Sequence, residues 1–395
     1  MEFLGHQRHD GRVGIRNLIL IFAVVECVEG IARRISEQVK STVAVTHHYS
    51  CLHLGNEQVV NTMLGIAENP NIAGFILIGM GCEAFRAEIF SERLSKSGKP
   101  MEILGCREMG GLARTVESGV ERARNMEGEI STHRRKPFAL DHLVVAVKCG
   151  GSDATSGLAA NASVGFAVDQ LIKQGASVVF TEPIEAIGGE TELYRRAAHE
   201  SIRKRIEKVI VNEEKYWKMP GARMEFMCKG NIDGGLSSIE EKSLGALHKT
   251  GKSPIVGVLE NSARKCERPT APGLYFQDGT HLDAQAVTNL AAAGAQLLVF
   301  TTGVGASFEG LITPTIRVCG NPTSFKKVKS DMDINAGTII EGKESIEEVG
   351  SKIFREIIEV ASGKKTKLEG LIPGVFDVLR PDPRLDMLAG ISRRL

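Results

Sequence analysis

The sequence predicts an α/β protein of two Rossmann-like domains, each with a largely parallel sheet and helices on both faces. Two observations carry this expectation. Short runs of β-branched and aliphatic residues alternate with segments whose apolar residues recur at helical spacing, the pattern of successive βαβ units. The alternation then stops and starts again across "NMEGEISTHRRKPFALD", Asn125 to Asp141, a polar stretch with a charge run and one proline. A chain of 395 residues is long enough for two separate cores, so we expect an N-terminal domain over 1–137 and a C-terminal domain over 138–395.

In the first domain the strands are expected at "LILIFAVV" from Leu18, "TVAVTH" from Thr42, "FILIGMG" from Phe75 and "MEILGC" from Met101. Helical spacing separates them around Ile31 to Lys40, Gln58 to Ala67, Ala84 to Leu94 and Gly111 to Asn125. The second domain opens with "LVVAVKC" and a helix ending near Gly175, followed by "ASVVFTE" and one helix from Glu190 to Val211. Later come "PIVGVLE" at Pro254, a helix from Ala284 to Gly294, "QLLVFTTG" at Gln296, "TIRVCG" at Thr315 and a last helix from Ser345 to Ala361. The stretch near 216–252 is Gly-rich at both ends and reads as an irregular insertion, a place where function often sits.

Composition narrows the partners. A formal net charge of +1 gives no electrostatic case for nucleic acid or an anionic membrane. "MEFLGHQRHDGRVGIRN" lacks the layout of a signal peptide, and the apolar run from Leu18 is too short to span a bilayer, so a cytoplasmic protein is expected. The eight cysteines show no CxxC or Cys/His zinc spacing, which points to thiols or metal ligands more than to a disulfide framework. Cys27, Cys106 and Cys319 lie in or beside apolar runs and read as core residues.

Ligands of open parallel sheets gather outside the carboxyl ends of the strands. The loops expected there are "THHYSCLH", "GMGCEAF", "KCGGSD", "TEPIEAIGGE" and "TTGVGASF". They bring His47, His48, Cys51, Cys82, Glu83, Cys149, Asp153, Glu182, Glu185 and Glu190, a ligand set suited to iron, manganese or zinc. Cys149 precedes two glycines that let backbone approach a ligand, yet it could equally be packing; Asp153 could contact a ligand or simply cap the next helix. His47 and His48 point to opposite sides of a strand, so one at most faces a given site. Arg12 and Arg16 on "HDGRVGIRN" could fork onto a carboxylate or belong to surface ion pairs. Glu240, Glu241 and Lys242 read as a solvated helix face, or as part of the site. "TTGVGAS" lacks the Lys of a P-loop and the full GxGxxG of a dinucleotide fold, which sets ATP and NAD aside.

Taken in order, "HDGRVGIRN", "GMGCE", "KCGGSDATSGLAANASVGFAVD", "TEPIEAIGGE", "KGNIDGGLSSIEEKSLG", "FTTGVGASFEG" and "DMDIN" resemble the altronate/galactarate dehydratase family from His9 to about Gly363. "GMGCE" and "DMDIN" look like the altronate dehydratases, whereas "KGNIDGGLSSIEEKSLG" and "PTAPGLYFQD" look closer to the large subunit of sulfolactate sulfo-lyase. The resemblance implies loss of water from a sugar acid of altronate or galactarate type to give a 2-keto-3-deoxy acid, with a divalent metal, Fe(II) first and Mn(II) second. It also implies a separate small subunit, because the family's small N-terminal domain precedes the "DGRVGIRN" motif, and a homo-oligomer by fold habit. A sulfo-lyase releasing sulfite and a non-catalytic acid-binding subunit are the alternatives. Within that chemistry, His47, Cys149 and Glu185 are assigned to the metal, and Arg12, Arg16 and Asn17 to the substrate carboxylate end. Glu182 or Lys242 is expected to move the proton, and Ser152, Asp153, Asn231 and the backbone of Gly303 and Gly305 to bind hydroxyls.

Overall fold

The computed structural model describes residues 1–48, 57–83, 86–218, 227–262 and 265–378. Strands β1 (Glu2–Gln7) and β2 (Val13–Gly14) open the chain. Strands β3 (Leu18–Ala23), β4 (Thr42–Val45), β5 (Ile72–Gly79) and β6 (Met101–Gly105) then form a parallel sheet in the order β4-β3-β5-β6. Every residue of β5 is buried, as expected of a central parallel strand covered on both faces. Strand β7 (Lys136–Ala139) returns to pair antiparallel with β1, so the first strand and the connection between domains are stitched into one small sheet.

The second sheet is built from β8 (Val144–Cys149), β9 (Ser177–Phe180), β10 (Ile255–Glu260), β11 (Gly273–Asp278), β12 (Leu297–Thr302), β13 (Thr315–Cys319) and β14 (Ile334–Asn335). All seven are parallel, in the order β10-β11-β9-β8-β12-β13-β14. The chain lays β9 on one side of β8 and later crosses back to place β12 on the other, so the strand order reverses around β8. That reversal opens a crevice at its carboxyl end.

The two domains meet through the helices Glu57–Glu68 and Asp283–Ala292. Gly65 lies against Ala292, and Asn69 donates to the carbonyls of Ala291 and Ala295 at 2.7 and 2.8 Å. Nearer the helix starts, Thr62 shares a hydrogen bond with Ser262, whose hydroxyl reaches Asn289. The contacts advance in the same direction on both helices, so the helices run parallel. Each helix runs back against the strands of its own sheet; the carboxyl edges of both sheets therefore open to the same side.

Several expectations are corrected in detail. The boundary stretch begins inside a helix: Leu112–Ser131 continues past Asn125 because Met126 and Ile130 fall on its buried face, and the charge run from His133 follows it as largely exposed chain. The single helix expected from Glu190 is two, Glu190–Arg196 and Glu200–Trp217, interrupted where Ala197 bridges to Ile255 at the edge of the sheet. Within the expected irregular insertion, the described residues form the helices Lys229–Asp233 and Ile239–Leu247 and the turn His248–Thr250; 219–226 lie outside the described residues. Cys106 and Cys319 are buried, but Cys27 is exposed, since β3 ends at Ala23 and Cys27 falls on a short 3-10 turn beyond it.

Candidate active site

The crevice at β8 is built by local features readable residue by residue. β8 ends in Lys148 and Cys149, both buried, and turns sharply at Gly151, whose φ of 61° lies in the left-handed region that favours glycine. A Cβ on Gly303 would meet a carboxylate oxygen of Asp153 at 2.0 Å, so the "GVG" loop after β12 needs glycine to let this turn dock. Beyond it the backbone widens into a π-helical turn, Ser156–Asn161, before the regular helix Ala162–Lys173; such turns collect at functional sites. β9 runs out to Glu182, a non-glycine residue at φ 75°, and Pro183 starts the 3-10 turn that carries Glu185. Strain of this kind persists where the surroundings fix it, and here it turns two glutamates toward Cys149.

Cys149 Sγ lies 3.2 Å from both oxygens of Glu185. Lys249 Nζ, from the turn His248–Thr250, donates to Glu185 at 2.7 Å and approaches Cys149 Sγ at 3.3 Å. Lys242 Nζ stands 3.4 Å from the other oxygen of Glu185. Lys148 Nζ donates to Glu182 at 2.9 Å, to Asp283 at 2.5 Å and to the Cys149 carbonyl at 3.2 Å. Two carboxylates, Glu182 and Glu185, and the ammoniums of Lys249 and Lys242 thus surround one thiol, with Lys148 and Asp283 behind Glu182. The second oxygen of Glu182, Oε2, is buried and has no hydrogen-bond partner among the described residues.

Burial and charge divide the two glutamates. Burial, with the negative charge of Glu185 beside it, pushes Glu182 up to about 8 against the pull of Lys148. Burial alone would also raise Glu185, but Lys249, Lys242 and Lys148 outweigh it and hold that carboxyl well below the usual range. Burial and Glu185 push the Cys149 thiol up to about 12, so without a cation close by it stays protonated. For Lys148 and Lys249 burial is opposed by the carboxylates around them, and both are raised above the ordinary ammonium value. Cys149, Glu182 and Glu185 offer ligand atoms all within 4.8 Å of one another. One sulfur and two carboxylates gathered in this way suit a divalent ion.

Residues 140–378 match the family described as D-galactarate/altronate dehydratase, C-terminal, and residues 5–131 match the second domain of D-galactarate dehydratase/altronate hydrolase. The chain belongs to the galactarate/altronate dehydratase family. By family it is a carbon–oxygen lyase. Relatives include the (2R)-sulfolactate sulfo-lyase subunit beta of Chromohalobacter salexigens, 33% identical over 93% of this chain and 95% of that one. The altronate dehydratase of Bacillus subtilis is 34% identical over 92% of this chain and 74% of its own length. The galactarate dehydratase (L-threo-forming) of Escherichia coli is 33% identical over 92% of this chain and 73% of its own.

Of the residues expected to carry the dehydratase chemistry, the structure brings Cys149, Glu182, Glu185 and Lys242 together. Ser152, Asp153, Asn231, Gly303 and Gly305 form an adjoining loop cluster whose polar groups are largely engaged within the chain. Asp153 caps the π-helical turn through Thr155 and Ser156 and accepts from Asn321 at 2.9 Å. Asn231 donates to the Ser152 carbonyl, Gly303 N to the Gly151 carbonyl and Gly305 N to the Thr302 hydroxyl. The Ser152 hydroxyl is the exception, buried without a partner.

Arg12, Arg16 and Asn17 are elsewhere. They precede β3 and stand at the amino edge of the sheets, opposite Cys149. Arg12 pairs with Asp10; Arg16 pairs with Glu369 and donates to the carbonyls of Ile15, Val360 and Lys364; Asn17 joins Arg8 to the Ile130 carbonyl. Arg16 fastens the segment before β3 to the C-terminal part of the chain, whereas Arg12 and Asn17 are engaged within the first domain. His47 sits past the end of β4 in the other domain, buried, and burial lowers it to about 4. It is not one of the three clustered ligand groups, although its sheet edge opens to the same side. Cys51 lies outside the described residues. Lys148, Lys249 and Asp283 were not foreseen. The signal for Lys148 was present: a charged residue one place before the end of the apolar run "LVVAVKC" must be paired when the strand is central.

Proposed function

We propose that this chain catalyses β-elimination of water from a sugar acid of altronate or galactarate type, giving a 2-keto-3-deoxy acid, with Fe(II) as the first choice of metal and Mn(II) the second. The observation that carries this reading is the buried group Cys149, Glu182 and Glu185, ringed by lysines at the carboxyl edge of the second sheet. Cys149 and Glu185 would hold the metal, with Glu182 beside them. The ion, when bound, supplies Lewis acidity toward the negative charge that develops on the substrate and toward the departing hydroxyl.

The residues present account for the proton. Glu182 Oε2, unpartnered and buried, takes the hydrogen α to the carboxylate while Lys148 fixes its other oxygen at 2.9 Å. The ammoniums of Lys249 and Lys242 add positive charge where the enediolate forms. Once protonated, Glu182 returns that proton to the hydroxyl leaving the next carbon. The hydrogen from one carbon and the hydroxyl from the other depart as water, and the enol left behind tautomerises to the keto acid. A carboxyl lifted above its ordinary range by burial and Glu185 is a stronger base than an exposed one and, once protonated, can give the proton back.

The match over nearly the full length of a sulfo-lyase subunit beta favours a second reading in the same site, elimination of sulfite from sulfolactate. That relative is named as a subunit, which supports a small partner polypeptide for this chain. A cytoplasmic homo-oligomer completes the proposal. The test is an anaerobic assay with Fe(II) or Mn(II), with and without a small partner, on altronate, galactarate and sulfolactate. Keto acid without sulfite establishes the dehydratase, sulfite from sulfolactate establishes the sulfo-lyase, and neither product from any combination overturns both.

A further inference from the structure

With Arg12 and Arg16 committed at the amino edge, the carboxylate of the substrate needs another anchor, and the hydrogen-bonding capacity of the three site lysines distinguishes them. An ammonium has three donors. Lys148 spends all three, on Glu182, Asp283 and the Cys149 carbonyl, and only 1% of its side chain is exposed. Lys249 is equally enclosed, at 1%, and is held between Glu185 at 2.7 Å and Cys149 at 3.3 Å. Lys242 differs on both counts. Among the described residues its one ion-pair partner is Glu185, at the long distance of 3.4 Å, and 20% of its side chain reaches solvent. Glu185 already has its close ammonium in Lys249, so Lys242 can turn away without leaving that carboxylate uncompensated.

The helix supports such a role. Ile239–Leu247 is fixed at its start by Ser238, whose hydroxyl accepts from Glu241 N, and it crosses the π-helical turn where Gly157 meets Gly245. Lys242 therefore projects from a braced element toward the site, with a flexible stem and a partly free head. Its neighbours Glu240 and Glu241 are spent locally: Glu241 accepts from Ser237, and both face solvent.

We infer that Lys242 is the anchor for the carboxylate of a hydroxy acid substrate. It meets the acid at the mouth of the site, whereas Lys148 and Lys249 set the charge inside. This rests on the β-elimination reading and assigns Lys242 to binding, leaving proton transfer to Glu182.

The test uses a pair of probes that cannot eliminate: the 3-deoxy analogue of whichever acid is turned over, and its carboxamide. Their affinities for the full chain, with its partner if activity requires one, are measured by calorimetry with and without added metal. A charge-assisted hydrogen bond is worth about 10- to 100-fold in affinity, so the wild type should prefer acid to amide by that factor. Lys242→Gln should lose the preference and raise KM; Lys242→Arg should keep most of the preference and most of the wild-type KM. A melting curve checks that each variant is folded, and a misfolded Gln variant is replaced by Lys242→Met. If the Gln or Met variant still prefers the acid, or if kcat falls while KM and probe affinity hold, the anchor assignment is overturned and the elimination reading stands. A wild type that turns over no acid and binds neither probe overturns both.

Discussion

Glu182 concentrates the chemistry in one side chain, and its environment makes it testable. Glu182→Gln keeps the shape and the hydrogen bond from Lys148 but cannot take a proton, so turnover should fall by about 10²–10⁴-fold with little change in KM. Burial and Glu185 lift this carboxyl above the ordinary carboxylate range, so turnover should fall on the acid side as Glu182 is protonated, and Glu182→Gln should abolish that acid limb. The same acid limb in the residual activity of the Gln variant would remove Glu182 as the base. Lys148→Met leaves the buried Glu182 without its cation; breaking such a pair costs about 3–5 kcal/mol. Urea melts should show that loss at pH 9 and a smaller one at pH 6, where Glu182 can be protonated instead. Cys149, Glu182 and Glu185 were legible because they follow apolar strands where parallel sheets keep their ligands. Lys249 was not: it looks like any lysine at a helix end, and its burial comes from packing against a helix some eighty residues earlier.

At the level of elements, the turn that presents Lys249 is set by a helix rather than by its own sequence. Gly165 of the helix Ala162–Lys173 touches that turn so closely that a Cβ would stand 2.1 Å from the His248 carbonyl and 3.0 Å from Gly251 N. Gly165→Ala gains about 1 kcal/mol in helix propensity but forces backbone apart, which costs more. The expected outcome is a lower melting temperature and lower activity together, since Lys249 moves off Cys149 and Glu185. By contrast, Ser345→Ala removes the capping box of the helix Ile346–Ala361 far from the site. It should cost about 1 kcal/mol in a denaturant melt and leave kcat unchanged. Strands such as β3, β5 and β12 were plain in the sequence because nearly every position is buried and apolar. β11 was not, because "GLYFQD" spends two of its buried positions on Gln277 and Asp278. β7 lacks a local pattern and is defined by its long-range pairing with β1, while β2 is only two residues long and pairs with β1 across a short turn.

For the molecule as a whole, the amino edge of the two sheets is where the domains are pinned. Asn71 accepts from Ile15 N and Arg16 N and donates to the carbonyls of Gln296 and Ile312, tying three segments through one amide. Asn71→Leu strands these groups away from water and should lower stability by at least 3 kcal/mol, read from a urea melt. His6, on the small sheet that joins the domains, is lowered from 6.5 to about 4 by burial and then by Arg135 and Arg8. Its neutral form belongs to the folded state, so its contribution is complete above about 6.5 and is lost as pH falls toward 4. His6→Gln should flatten the stability profile across that interval. The two-domain plan was visible in the sequence, but the pinning was not, since asparagines that bridge domains look like ordinary turn residues. Arg16 and Asn71 together with Asn69 pin the amino end, and Thr62 with Ser262 adds a tie farther along the same pair of helices. A rotation of one sheet against the other about these pins would move the carboxyl ends of β8 and β4 the most, like the tips of a pair of tweezers, and so change the separation of Cys149 and His47.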